Sequence, residues 1–256
     1  MPPAGNDDAA LFEYLLRLGD NALVLGQRLS QWTGHGPVLE EDLALTNVAL
    51  DLVGHARLWL SYGSDVQGSG GDADRLAFFR DQREYRNVLL VERPNGNYAD
   101  TTARQFLFDT WHLYLLQALS ASKDERVAAI ASKAAREVAY HVRRSGDWTI
   151  RLGDGTETSR ARMQTALDAA WPCTGELFAA DALDRELLQR GIGCDLEALR
   201  TPWRGHVERV CREATLAIPA DGWMQSGGKT GRHSEALGYL LAEMQSVARS
   251  VPALRW

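Results

Sequence analysis

Four long stretches of this sequence repeat apolar side chains every three or four positions. That spacing limits the possible fold more than any other feature. Residues 9–31 place Leu11, Leu15, Leu18, Ala22, Leu25 and Leu29 on one helical stripe. After the break "GHGP" at 34–37, a second helix is expected over 39–62, with Leu43, Val48, Leu52, Leu58 and Leu60 on or near its inner side. Glu40, Glu41 and Asp42 suit the positive end of that helix. A third helix is expected over 101–121 and a fourth over 123–152, with a short joint between them. The two pairs are separated by the Gly-rich "GSGGDAD" (68–74), a further helical stretch at 75–91 and the turn-forming "RPNGNYAD" (93–100). Two helix pairs joined by one long crossover follow the order of a ferritin-like four-helix bundle. The expected fold class is all-α: one ferritin-like domain over 1–256, with the core bundle at about 9–152 and accessory helices at about 153–256. The accessory helices fall near 156–171, 180–190, 195–215 and 234–250, and Pro172 ends or kinks the first of them. In the last, Leu237, Leu240, Leu241, Met244 and Val247 share a face.

The totals narrow the function classes. A net charge of −6, with acids and bases interleaved, repels a phosphate backbone and argues against a nucleic-acid partner. Cys173, Cys194 and Cys211 are odd in number and lack C-x-x-C spacing, which fits buried thiols in a reducing compartment. "MPPAGNDDAA" has no basic segment followed by an apolar core, so no secretory signal is expected. No apolar run approaches the roughly 20 residues that cross a bilayer. The expected setting is the cytoplasm, away from the membrane.

The chemistry-bearing residues sit on the long helices. A di-iron carboxylate site takes four acids and two histidines from four helices, with two Glu-x-x-His pairs. Candidates by residue type are Asp20, Asp51 with His55, Asp109 with His112, and Glu137 with His141. In "LDLVGH" (50–55) and "REVAYH" (136–141) the acid stands four before the histidine, not three. A step of three leaves side chains about 60° apart and a step of four about 40°. Chelation is therefore possible at either spacing, as H-E-x-x-H shows for two histidines. The positions three before the histidines are Leu52 and Val138, which cannot ligate. The plain alternative is that buried His and acid side chains satisfy one another by hydrogen bonds.

Four segments carry a resemblance: "LRLGDNALVLGQRLSQWTGHGPVLEEDLALTNVALDLVGHARLWLSYG", "LLVERPNGNYADTTARQFLFDTWHLYLL", "AAREVAYHVRRSGDW" and "SGGKTGRHSEALGYLLAEMQ". Over about 11–250 the chain resembles the structural (PaaC-type) subunits of bacterial phenylacetyl-CoA monooxygenase, the ring 1,2-epoxidase. The resemblance implies a complex in which a homologous catalytic subunit holds the di-iron site. A small bridging subunit joins the pairs, and a reductase delivers electrons from NADPH. Oxygen then attacks the ring of phenylacetyl-CoA in the partner, and this chain holds no cofactor of its own. Carried over, the catalytic motif histidines fall on His55 and His141, the motif glutamates on Leu52 and Val138, the helix-one glutamate near Ala22 and the helix-three acid on Asp109. Asp51, His55, Asp109 and His141 would then be a vestigial cluster. The alternative is a di-metal oxidase or oxygenase with its own altered site.

"DGWMQSGGKT" (221–230) imitates a phosphate loop, but the required first glycine is Trp223 and no strand precedes it. Lys229, Arg232 and His233 instead suggest contact with an acidic group, either CoA phosphates or a partner's carboxylate. Of the eight tryptophans, Trp203 and Trp223 are the candidates for an outward-facing partner anchor.

Overall fold

The computed structural model describes residues 6–68 and 72–252. Helix is its only regular structure, with no strand among the described residues. In chain order the helices are α1 (Asn6–Ser30), α2 (Leu39–Gln67), α3 (Ala73–Phe78), α4 (Leu89–Glu92), α5 (Tyr98–Leu119), α6 (Glu125–Gly153), α7 (Glu157–Ala170), α8 (Gly175–Phe178), α9 (Ala182–Gln189), α10 (Arg200–Glu213), α11 (Glu235–Met244) and α12 (Ser246–Ser250). The chain divides into two compact units, Met1–Arg93 with Gly227–Trp256, and Pro94–Ser226.

In the first unit α1 and α2 pack along most of their length. The expected α1 stripe is the buried one: Leu11, Leu15, Leu18, Ala22, Leu25 and Leu29 all lie inside. On α2 the buried side carries Leu45, Val48, Leu52, His55, Ala56, Trp59 and Leu60. Leu43 departs from expectation. It is 55% exposed, because nine residues at about 100° each place it opposite Leu52 around the helix. α2 stops at Gly68, whose φ of 63° is the left-handed cap that glycine takes at least cost.

The helix expected over 75–91 is not continuous. It breaks into α3, a 3-10 turn at Gln82–Glu84, an extended run and α4. Side chains of α1 supply the reason. Arg86 N donates to Asp20 Oδ2 at 2.8 Å and Val88 N to Asn21 Oδ1 at 2.8 Å. These acceptors replace the i−4 carbonyls a helix would have used. At the C-terminal end the expected apolar face is cut at Gln245, which turns inward and donates to the Arg80 carbonyl (3.0 Å) and the Tyr85 hydroxyl (3.1 Å). Leu237, Leu240 and Leu241 are buried, Met244 is half-buried, and Val247 is 58% exposed.

In the second unit α5 and α6 form the long pair, with α7 and α10 against both. The N-termini are written in the sequence. Asn97 caps α5 in a reciprocal box with Asp100, and Asp124 caps α6 by accepting from Arg126 N and Val127 N. Pro172 ends α7 by turning the chain into the 3-10 segment Trp171–Cys173. Trp203 is core: it packs on Trp171 and Phe178 and donates its Nε1–H to the Leu107 carbonyl at 3.0 Å. Trp223 is 80% exposed, and Trp256 lies outside the described residues. None of the three cysteines forms a disulfide among the described residues, and Cys173 and Cys211 are buried. Burial pushes the Cys211 thiol up to about 12, so it is a packing residue and not a nucleophile.

Candidate functional site

In the first unit His55 and Leu52 are both fully buried on α2, while Asp51, one residue before Leu52, is only half-buried. Asp20, the acid of α1, is committed elsewhere. Arg80 Nη1 donates to its Oδ2 at 3.0 Å and Arg80 Nη2 to its Oδ1, and Arg86 N adds a third donor. The Arg80 guanidinium also lies over the Tyr85 ring, 4.4 Å from its centre. An aspartate holding a buried arginine is a structural counter-ion.

In the second unit Asp109 and His112 on α5 and His141 and Val138 on α6 are all buried, whereas Glu137 is half-buried. Gln105 Nε2 donates to Asp109 Oδ1 at 3.3 Å. His112 stacks in the aromatic group of Phe108 and Trp111. Burial pushes the Asp109 carboxyl up to about 6, against the opposing influence of His141, Ser145, Arg144 and Arg104. The Ser145 hydroxyl has one proton, which it directs to the His141 carbonyl at 2.9 Å, so its help to Asp109 is small.

The raised carboxyl has a measurable consequence. The folded state keeps its proton where the unfolded chain has lost it, so stability falls as pH rises from about 4 to about 6. Asp109→Asn should remove that penalty. The variant is expected to be about 3 kcal/mol more stable than wild type at pH 8 and nearly equal to it near pH 4. Urea unfolding at the two pH values checks this, and a variant less stable at pH 8 contradicts it.

These donors do not suit a pair of irons. The positions three before His55 and His141 are filled by buried hydrocarbon, and the α1 acid neutralises an arginine. Among the described residues, neither unit gathers three His, Cys, Asp or Glu side chains in a group able to hold a metal. A di-iron centre needs several anionic oxygens to balance its charge.

The most developed polar cluster was not anticipated from the spacing. Glu92, fully buried at the end of α4, accepts from Asn87 Nδ2 (3.0 Å) and from Ser234 N (2.6 Å), and pairs with His233 Nδ1 at 2.8 Å. His233 Nε2 donates to the Tyr85 carbonyl at 3.0 Å. Arg28 Nε and Nη2 donate to the Glu92 backbone carbonyl, and Nη2 also reaches the Ala236 carbonyl at 2.7 Å. The acidic group that His233 meets is thus Glu92 of its own chain. The nearby glycines have the same internal purpose. A side chain at Gly228 would strike the Asn87 carbonyl, and one at Gly231, where φ is 77°, would strike the Arg83 carbonyl. The glycines that imitate a phosphate loop let this segment lie against residues 83–89. Lys229 is half-buried and Arg232 exposed. The signal in the sequence was Glu92 itself, an acid closing the apolar run "NVLLVE".

The family model described as "Phenylacetic acid catabolic protein" matches residues 2–256. A curated relative from Escherichia coli strain K12, a subunit of 1,2-phenylacetyl-CoA epoxidase, is 50% identical over 246 residues, spanning 96% of this chain and 99% of that protein.

Proposed function

The chain belongs to the phenylacetic acid catabolic protein family, and from that premise we propose that it is the non-catalytic structural subunit of a multicomponent phenylacetyl-CoA 1,2-epoxidase. The observation that carries this reading is the fully buried hydrocarbon of Leu52 and Val138, each three residues before a buried histidine. A chain that has filled both ligand positions with apolar packing needs another polypeptide for oxygen activation. Its partner in this reading is a homologous subunit with intact Glu-x-x-His pairs and a di-iron site. A small bridging subunit joins the pairs, and a reductase supplies electrons from NADPH. Phenylacetyl-CoA is the substrate of the complex. Arg232 and Lys229 bring positive charge to the surface of the 226–234 segment, where the CoA phosphates or a carboxylate of the partner would be met.

Co-expression with a homologous subunit that has both motifs tests the pairing. The two chains should co-purify, and phenylacetyl-CoA-dependent oxygen consumption should require the motif-bearing chain. Turnover by this chain with only a reductase and oxygen would favour a second reading, in which the retained His55, Asp109 and His141 serve an altered metal site.

A further inference from the structure

The first unit holds a cavity of about 350 Å³ lined by the N-terminal half of α1, the C-terminal end of α2, and α3 with the residues that follow it. That volume lies within the range of small-molecule sites, about 300–1,000 Å³. Phe12 and Leu16 of α1, with Leu76 and Phe79, supply its apolar wall. Two buried side chains in the same wall have hydrogen-bond donors to spare. Ser64 is 5% exposed, and its hydroxyl has no partner among the described residues. A helical hydroxyl ordinarily turns back to the carbonyl four residues earlier, as Thr110, Ser145 and Thr149 do in this chain. Ser64 does not, and it lines the cavity. Arg80 is 8% exposed and lines it too. Of the five N–H bonds of its guanidinium, four reach the Leu76 carbonyl, the Glu84 carbonyl and the two Asp20 oxygens. The fifth, on Nη2, has no acceptor among the described residues.

The charges around the cavity select the ligand. Asp20 already balances Arg80, and Glu13 is held by Arg86. Asp72 and Glu84 are exposed, and each accepts a backbone N–H of its own turn. The Arg75 guanidinium, also exposed, has no partner among the described residues, so one positive charge is left to meet a ligand. We propose that this cavity binds a small aryl carboxylate. The carboxylate accepts from the Ser64 hydroxyl and from the free N–H of Arg80, with Arg75 as its counter-ion. The ring lies against Phe12 and Phe79, where aromatic side chains favour another aromatic. A cation would face donors it cannot use. A pure hydrocarbon would cover those donors without giving them an acceptor, which buried polar groups tolerate poorly. The assignment does not depend on the role proposed above.

Titration calorimetry of the purified full chain with phenylacetate, an aryl carboxylate of suitable size, tests the site. Binding should saturate with a Kd of about 0.1–1 mM, the affinity that a ligand of about ten heavy atoms supplies at ordinary efficiency. Phenylacetamide keeps the shape but lacks the charge, and it should bind at least about tenfold more weakly. Ser64→Ala should weaken phenylacetate binding by about three- to tenfold. It should leave thermal unfolding unchanged, since the hydroxyl has no partner to lose. Arg75→Gln, at an exposed position, should weaken binding by about two- to fivefold. Three results would overturn the proposal. These are no saturation up to about 10 mM, equal affinity for the acid and the amide, or an affinity that either substitution leaves unchanged.

Discussion

Glu92→Ala should lower the stability of the fold by about 3–5 kcal/mol at pH 6, the usual cost of removing one partner from a buried ion pair. The carboxylate accepts from His233, Asn87 and Ser234 at 2.6–3.0 Å. Its loss strands all three donors. The segment with Gly228 and Gly231 then loses the anchor that holds it against residues 83–89. The effect also has a pH signature. Burial alone would lower the His233 pKa, but the Glu92 carboxylate, the Tyr85 carbonyl and the more distant Asp20 outweigh it and raise the value. A raised imidazole contributes stability fully below its ordinary value near 6.5, and that contribution disappears as pH climbs through the raised one. Wild type should therefore weaken on going from pH 6 to pH 9. Glu92→Ala should lose most of that slope and differ least from wild type at the alkaline end. Urea unfolding at three pH values measures both effects. A variant within about 0.5 kcal/mol of wild type at pH 6, the range of an ordinary surface substitution, would show that the pair is dispensable.

The second large effect concerns the apolar ligand positions. Leu52→Glu and Val138→Glu each put a carboxylate where the native side chain is fully buried. Desolvation would raise such a glutamate by about 3 units or more, which costs about 4 kcal/mol at pH 7 per site, and the lost apolar packing adds to it. The penalty should shrink toward pH 4, where the new acid stays protonated. The sites lie on α2 and α6, one in each unit, so each variant is measured singly before the pair is combined. Ferrous iron should rescue the double variant only if the restored glutamates complete a metal site with the retained histidines. A double variant as stable as wild type without metal would mean that these positions are wet and are not packing sites.

Much of this was legible in the sequence. The two long helix pairs, the capping residues and the inner stripe of α1 follow from spacing and local hydrogen-bond chemistry. Leu52 and Val138 could be judged from position alone, since an apolar residue cannot ligate whatever surrounds it. Other features depend on contacts distant in the chain. The 75–91 stretch has helix-forming composition, yet Asp20 and Asn21 of α1 capture its backbone N–H groups, and local propensity cannot anticipate that. His233 resembled a surface cation because its partner Glu92 stands 141 residues away. Leu43 was placed inward because it is apolar, although its angle from Leu52 already set it on the far side of α2.

In the role proposed for it, this chain supports an oxygen-activating subunit and does not activate oxygen itself. The decisive quantity is iron per chain, measured on protein expressed and purified alone after incubation with ferrous iron and removal of the excess. It should be far below stoichiometric and unchanged by His55→Ala with His141→Ala. Near-stoichiometric iron that disappears in that double variant would contradict the role.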